Sequence, residues 1–175
     1  MALPFTRRAR FERLLRPEYA ALGGLALRLT RDPVAAEDLL QEALLTGLRR
    51  IDQLREAGAF RLWMSRILVR TWQNRGARKI DTVIELREVR VACEDSPARH
   101  LQRRQLAERM SQAFDALPEP QRVAVLLVDG QGFRFAEAAD ILDTRPGTVA
   151  SRVARGRAAL RDALGDVARA EGVIQ

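Results

Sequence analysis

One short stretch, Thr30-Arg31-Asp32-Pro33, and the run that follows it constrain this chain most. Aspartate is a strong helix N-cap, and proline at the first helical position gives up an N–H that would lack an intrahelical partner anyway. The four residues therefore break one helix and start the next. From there Ala36, Leu40, Ala43, Leu44, Gly47, Leu48, Ile51 and Leu54 recur every three or four positions. That is the period of a helix with one apolar stripe, and it predicts a long amphipathic helix from about Pro33 to Glu56. Similar punctuation divides the rest of the chain. Helices are predicted over Tyr19–Leu29, from Phe60 to about Arg78, and from about Ala98 to Leu117. Pro118-Glu119-Pro120 restarts the pattern and Asp129-Gly130-Gln131-Gly132 breaks it. A short helix over Phe135–Leu142, a turn at Asp143–Gly147 and a final helix from about Thr148 to Leu164 complete it. No run of alternating β-branched residues reads as a sheet, so the expected class is all-α.

Composition removes several alternatives. Of 175 residues, 47% are hydrophobic, too many for a disordered chain. Cys93 is the only cysteine and His100 the only histidine, which excludes an intrachain disulfide framework and a cysteine-based zinc cage. No apolar run approaches the ~20 residues of a membrane-crossing helix. Met1–Arg16 alternates arginines with apolar residues and lacks an uninterrupted signal-peptide core. A soluble protein of a reducing compartment is expected. His100 has no orienting carboxylate in sight, Cys93 has no histidine nearby in sequence, and no glycine-rich phosphate loop is present. Hence no enzymatic activity, no metal and no cofactor are expected.

The net charge is +7, unevenly placed. Residues 1–80 carry 16 basic and 8 acidic side chains, and residues 144–175 carry 6 and 3, with a slightly acidic middle between them. Arg61, Arg66, Arg70, Arg75, Arg78 and Lys79 follow one another with no acid among them. Such a stripe suits phosphate contacts, a solvated face being the other reading. Phe60, Trp63 and Trp72 lie in the same stretch, and rings beside cations are what single-stranded DNA binding uses. The rings could equally be core; Trp72 lies off the Phe60–Trp63–Ile67 stripe and is the better candidate for exposure.

The long helix has a second face, Glu37, Asp38, Gln41, Glu42 and Leu45, opposite its apolar stripe. An acidic strip beside a basic region would repel DNA and would suit a basic protein surface. Simple complementation of the helix dipole by Glu37 and Asp38 accounts for part of it equally well. In the last third, the short helix, tight turn and arginine-bearing helix form a helix-turn-helix, whose second helix enters the major groove N-terminus first. Val149, Val153 and Leu160 are its inward stripe; Thr148, Ser151, Arg152 and Arg155 face outward, with Arg157 and Arg161 further along. An ordinary helical hairpin is the alternative.

Together these residues resemble the bacterial sigma-70 family, in particular its small extracytoplasmic-function (ECF) members. Leu29–Pro33 followed by Ala36-Glu37-Asp38-Leu39-Leu40-Gln41-Glu42-Ala43 is similar to region 2.2, and Phe60–Ile67 to the region that melts and reads the −10 element. Leu117–Arg122 and Gly147–Arg157 are similar to region 4, which reads the −35 element. The resemblance implies a sigma region 2 helical bundle in residues 1–80, a flexible linker in 81–100, and a region 4 helix-turn-helix domain in 101–175. It implies an alternative sigma factor acting in the cytoplasm and on the nucleoid when in holoenzyme. The implied partners are core RNA polymerase (β′ clamp helices and β flap), promoter DNA and a cognate anti-sigma factor. Asp38, Leu39, Gln41 and Glu42 would bind polymerase. Phe60, Arg61, Trp63, Arg66, Arg70, Trp72 and Arg75 would handle the −10 single strand, and Arg145, Thr148, Ser151, Arg152, Arg155 and Arg157 the −35 duplex. Arg70 stands where many relatives carry Asn, and Ala150 where a Lys is common. A stand-alone helix-turn-helix regulator is the rival reading; a sigma-like decoy for an anti-sigma factor is a third.

Overall fold

The computed structural model describes residues 4–76 and 108–170. Among them every regular element is helical. They fall into two compact units, one of residues 4–76 with 136–145 and one of residues 108–135 with 146–170. Residues 136–145, expected within the C-terminal domain, thus group with the first unit. Cys93, His100, Arg78, Lys79 and the 81–97 tether lie outside the described residues.

The first unit is a bundle of α1 (Pro4–Leu15), α2 (Tyr19–Thr30), α3 (Pro33–Arg50) and α4 (Phe60–Gly76). The break between α2 and α3 is built as the sequence predicts. Arg31 closes α2 in the left-handed conformation (φ 60°), its N–H reaching the Leu27 carbonyl at 2.7 Å. Asp32, in extended conformation, then accepts the Ala35 N–H at 2.7 Å and so satisfies one of the unpaired donors of α3. The Thr30 hydroxyl reaches both the Ala26 and Asp32 carbonyls, at 3.0 and 3.1 Å, and pins the corner.

Helix α3 packs on both α2 and α4. Leu22, Leu25, Leu39, Ile51, Met64 and Leu68 are all essentially inaccessible. At Gly47 the crossing is tight: a Cβ there would lie 2.5 Å from Met64 Sδ and 3.1 Å from the Phe11 ring. Two arginines of α1 hold the far end of α3. Arg7 donates to the Arg49 carbonyl at 3.0 Å and pairs with Asp52 at 2.7 Å, and Arg10 donates to the Leu54 carbonyl at 2.8 Å.

One boundary differs from expectation. Helix α3 ends at Arg50, not Glu56; a 3-10 turn over Ile51–Gln53 follows, then extended backbone at Leu54. Ile51 and Leu54 are nevertheless buried, so their spacing reports burial while the backbone has already changed.

In the second unit, residues 108–115 are helical (α5). Helix α6 (Glu119–Val125) continues into a wider π turn over Leu126–Gly130, and Gly132 ends it at φ 72°. Next in the chain comes α7 (Phe135–Leu142), which apart from Phe135 groups with the first unit; it matches its predicted bounds, with Ala138, Ala139 and Ile141 buried. The final helix α8 (Pro146–Ala170) is longer than expected and packs on α6. Val149 and Val153 are buried as predicted, and Leu160 is half-buried. Gly156 completes that face one turn on; a Cβ there would meet Val125 Cγ2 at 2.7 Å.

Candidate polymerase- and promoter-binding surfaces

Helix α3 divides its residues cleanly. Ala36, Leu39, Leu40 and Ala43 are buried, whereas Glu37, Asp38, Gln41, Glu42 and Leu45 are exposed. Leu39, expected to be a docking residue, is therefore corrected to a core position: at 0% exposure it has no surface to offer a partner. Sequence reasoning missed Val34, which is 71% exposed and lies one turn before Asp38. Its signal was the i, i+4 spacing to Asp38. With Leu45 at 54%, apolar side chains bracket the acidic and amide strip at both ends. Within the strip Gln41 donates to Glu37 at 3.4 Å.

The arginine stripe of α4 is less free than its sequence suggests. Its arginines have no acid near them in sequence, yet acids from elsewhere reach them. Arg61 lies 3.7 Å from Glu18, Arg70 3.2 Å from Asp143 within the same unit, and Arg75 2.6 Å from Glu42. Arg66 is half-buried, with its Nε inaccessible and without a hydrogen-bond partner. The aromatic members also divide. Phe60 is 2% exposed and packs edge-on against Phe11, ring centroids 5.6 Å apart. It is therefore corrected to a core residue, because neither ring face is open to a base. Trp63 leans on Phe60 at 6.1 Å and is half-buried; Trp72, expected to be the more exposed, is half-buried too.

At the second segment expected to meet DNA the chain runs α7, a turn, then α8. Asp143 takes the left-handed conformation (φ 52°) and the Thr144 N–H reaches back to the Ala139 carbonyl at 3.0 Å, closing α7. Pro146 opens α8, its fixed φ suiting a first helical position. Arg145, Ser151 and Arg155 are exposed, and Thr148 and Arg152 half-buried. Thr148, Arg152 and Arg155 follow at four- and three-residue steps on one face, away from the Val149–Val153–Gly156 stripe that meets α6. The Ser151 hydroxyl is turned inward to the Thr148 carbonyl at 2.9 Å. Arg157 is engaged elsewhere: its guanidinium donates through two nitrogens to the two Asp129 carboxylate oxygens. That hydrogen bond and charge raise the Arg157 pKa above the ordinary arginine value.

Among the described residues no cluster of three or more His, Cys, Asp or Glu side chains could hold a metal, and no helix is long and apolar enough to cross a membrane. What the described residues offer is recognition: one acidic strip on α3, one cationic aromatic helix, α4, and one arginine-bearing helix, α8.

Comparison with known proteins accords with this. Residues 14–79 match the family model described as Sigma-70 region 2, and residues 107–160 that described as Sigma-70, region 4. The ECF RNA polymerase sigma factor SigM of Mycobacterium tuberculosis (strain H37Rv) is 33% identical over 156 residues, covering 89% of this chain and 77% of that protein. The RNA polymerase sigma-H factor of Pseudomonas aeruginosa is 31% identical over 152 residues, covering 81% and 79%. Among solved structures, the sigma factor RpoE from Bartonella quintana, crystallised with the anti-sigma factor NepR, superposes with a TM-score of 0.74 at 25% identity, covering 89% of this chain and 96% of that one. A chain whose described elements are all helical and that carries region 2 and region 4 in this order is a sigma factor. More narrowly, the chain belongs to the sigma-70 family and to its ECF group, alternative sigma factors that direct RNA polymerase to promoters.

Proposed function

We propose that α3 docks on core RNA polymerase through Asp38, Gln41 and Glu42, with Val34 and Leu45 as apolar anchors at the ends of the strip. The observation that carries this reading is the sharp division of α3, whose buried face packs against α1, α2 and α4 while the side chains of its polar face stay exposed. Among the described residues, Glu42 alone of them is paired with another helix. Charge complementarity then favours a basic protein surface. Helix α4 handles the strand opened at the −10 element: Trp63 and Trp72 supply stacking surface, and Arg61, Arg66, Arg70 and Arg75 supply phosphate contacts. Helix α8 reads the −35 duplex from Arg145, Thr148, Ser151, Arg152 and Arg155, the N-terminal turns that a recognition helix presents to base edges. Arg157 serves there once it leaves Asp129. The domain assignment that accompanies this reading keeps residues 1–80 for docking and opening, 81–100 as linker, and 101–175 for the upstream element. A cognate anti-sigma factor, the kind of partner with which the Bartonella protein was crystallised, would compete for these surfaces.

Run-off transcription with purified core polymerase on genomic fragments tests the whole reading. Specific transcripts only when both components are present are expected. Tight duplex binding without polymerase, and no transcript with it, would instead indicate a stand-alone regulator.

A further inference from the structure

The two proposed surfaces of the first unit share one side chain. Arg75, the last arginine of α4 among the described residues, does not extend into solvent. Its Nε donates to Glu42 at 2.8 Å, one terminal nitrogen lies 2.6 Å from the same carboxylate, and that nitrogen also donates to the Asp38 backbone carbonyl at 3.0 Å. The guanidinium is thus laid across the polar face of α3. Both partners remain partly open, with side-chain exposures of 35% for Arg75 and 53% for Glu42, so water and competing ions reach the pair. A guanidinium held this way cannot simultaneously grip a phosphate in the fork geometry that makes arginine effective. A Glu42 carboxylate committed to Arg75 likewise offers less to a basic partner.

We infer that Glu42 is a positioning residue that holds Arg75 off nucleic acid in the free chain, and that a cationic surface arriving on α3 takes over Glu42 and releases Arg75 toward the opened strand. The inference rests on the docking and strand-binding roles proposed for α3 and α4. It adds a direct link between them: occupancy of one surface raises the cation count of the other. The geometry needs no backbone movement, only exchange of carboxylate partners, and an exposed pair is weak enough to exchange.

The test uses the full chain and a fluorescent single-stranded oligonucleotide, with anisotropy read across a salt series. Glu42→Gln keeps the shape of residue 42 while removing the charge that holds Arg75. It is expected to bind the strand about two- to five-fold more tightly than the parent chain, the range over which exposed pairs act. Its plot of log affinity against log salt should steepen by about 0.7, the increment for one more neutralised phosphate on a single strand. In the Glu42→Gln/Arg75→Ala double variant both gains should vanish. Equal binding by Glu42→Gln and the parent chain overturns the inference. So does a gain that survives replacement of Arg75, since that would be a general effect of removing an acid. Addition of polymerase should narrow the difference between Glu42→Gln and the parent, and an undiminished difference overturns the release step. Failure of the docking role itself is read separately, from unchanged polymerase affinity in Asp38→Asn, which adds no cation beside Glu42 and keeps the backbone carbonyl that Arg75 uses.

Discussion

Asp32 and Gly156 show how single residues fix the elements that carry recognition. Asp32 caps α3 through its 2.7 Å bond from the Ala35 N–H. Asp32→Ala should therefore lower stability by about 1 kcal/mol, within the range for N-cap removal. Urea unfolding should show a lower midpoint at an unchanged slope, because the folded surface is the same. Gly156 is a different case. Its place on the α6 side of α8 leaves 2.7 Å between a hypothetical Cβ and Val125 Cγ2, with the Gln121 backbone oxygen at 3.7 Å. Gly156→Ala should cost about 1–3 kcal/mol as overpacking. Adding Val125→Ala, which removes the clashing methyl, should return part of that deficit in the same unfolding measurement. Glycine at 156 thus reads as a packing requirement, although it lies in the middle of the arginine-rich stretch.

At the scale of elements, the polar face of α3 should be a determinant of polymerase docking. Charge reversal at Asp38 and Glu42 together should weaken binding to core polymerase by on the order of 2–5 kcal/mol, if the strip's charges are desolvated on docking. A pull-down titration or surface plasmon resonance measures it, and unchanged affinity would remove this face from the interface. On α8, Arg152→Ala with Arg155→Ala should cost about 1–3 kcal/mol for each arginine that pairs in bidentate fashion with a base edge. Persistence of an upstream footprint in that variant would mean that another helix reads the element. Much of this was legible in the sequence because helix starts are local chemistry. Asp32-Pro33, Phe60 and Phe135 begin α3, α4 and α7 where their residues say they should. What was not legible depends on distant parts of the chain. The end of α3 was overextended because Ile51 and Leu54 stay buried after the helix has turned into 3-10 and extended backbone. Leu39 and Phe60 carry the right family pattern but face inward, Phe60 because Phe11, far earlier in the chain, covers it. The arginines of α4 have no acid within their own segment, and only folding brings Glu18, Glu42 and Asp143 to them.

Across the whole molecule, the proposed roles give each surface its own step of initiation. The cations of α8 and those of α4 sit in sequence blocks separated by an acidic middle, and the proposed roles give them different substrates, duplex for one and opened strand for the other. Their defects should then separate by step instead of adding into one general weakening of binding. Within the polymerase complex, Arg152→Ala/Arg155→Ala should reduce occupancy of promoter duplex, and occupied promoters should still open. Trp72→Ala should leave initial occupancy nearly intact and reduce opening, because base stacking on an aromatic ring contributes about 1–3 kcal/mol per base only once the base is unstacked from its neighbour. Nuclease footprinting reports occupancy and permanganate reactivity of thymines reports opening, both on the same promoter. The salt dependence provides an internal check. Removing phosphate-binding arginines should flatten the slope of log affinity against log salt, whereas removing a stacking ring should shift the line without changing its slope. Equal reduction of occupancy and opening in Trp72→Ala, or a changed slope in that variant, would mean that Trp72 acts through the packing of α4 and not on the strand.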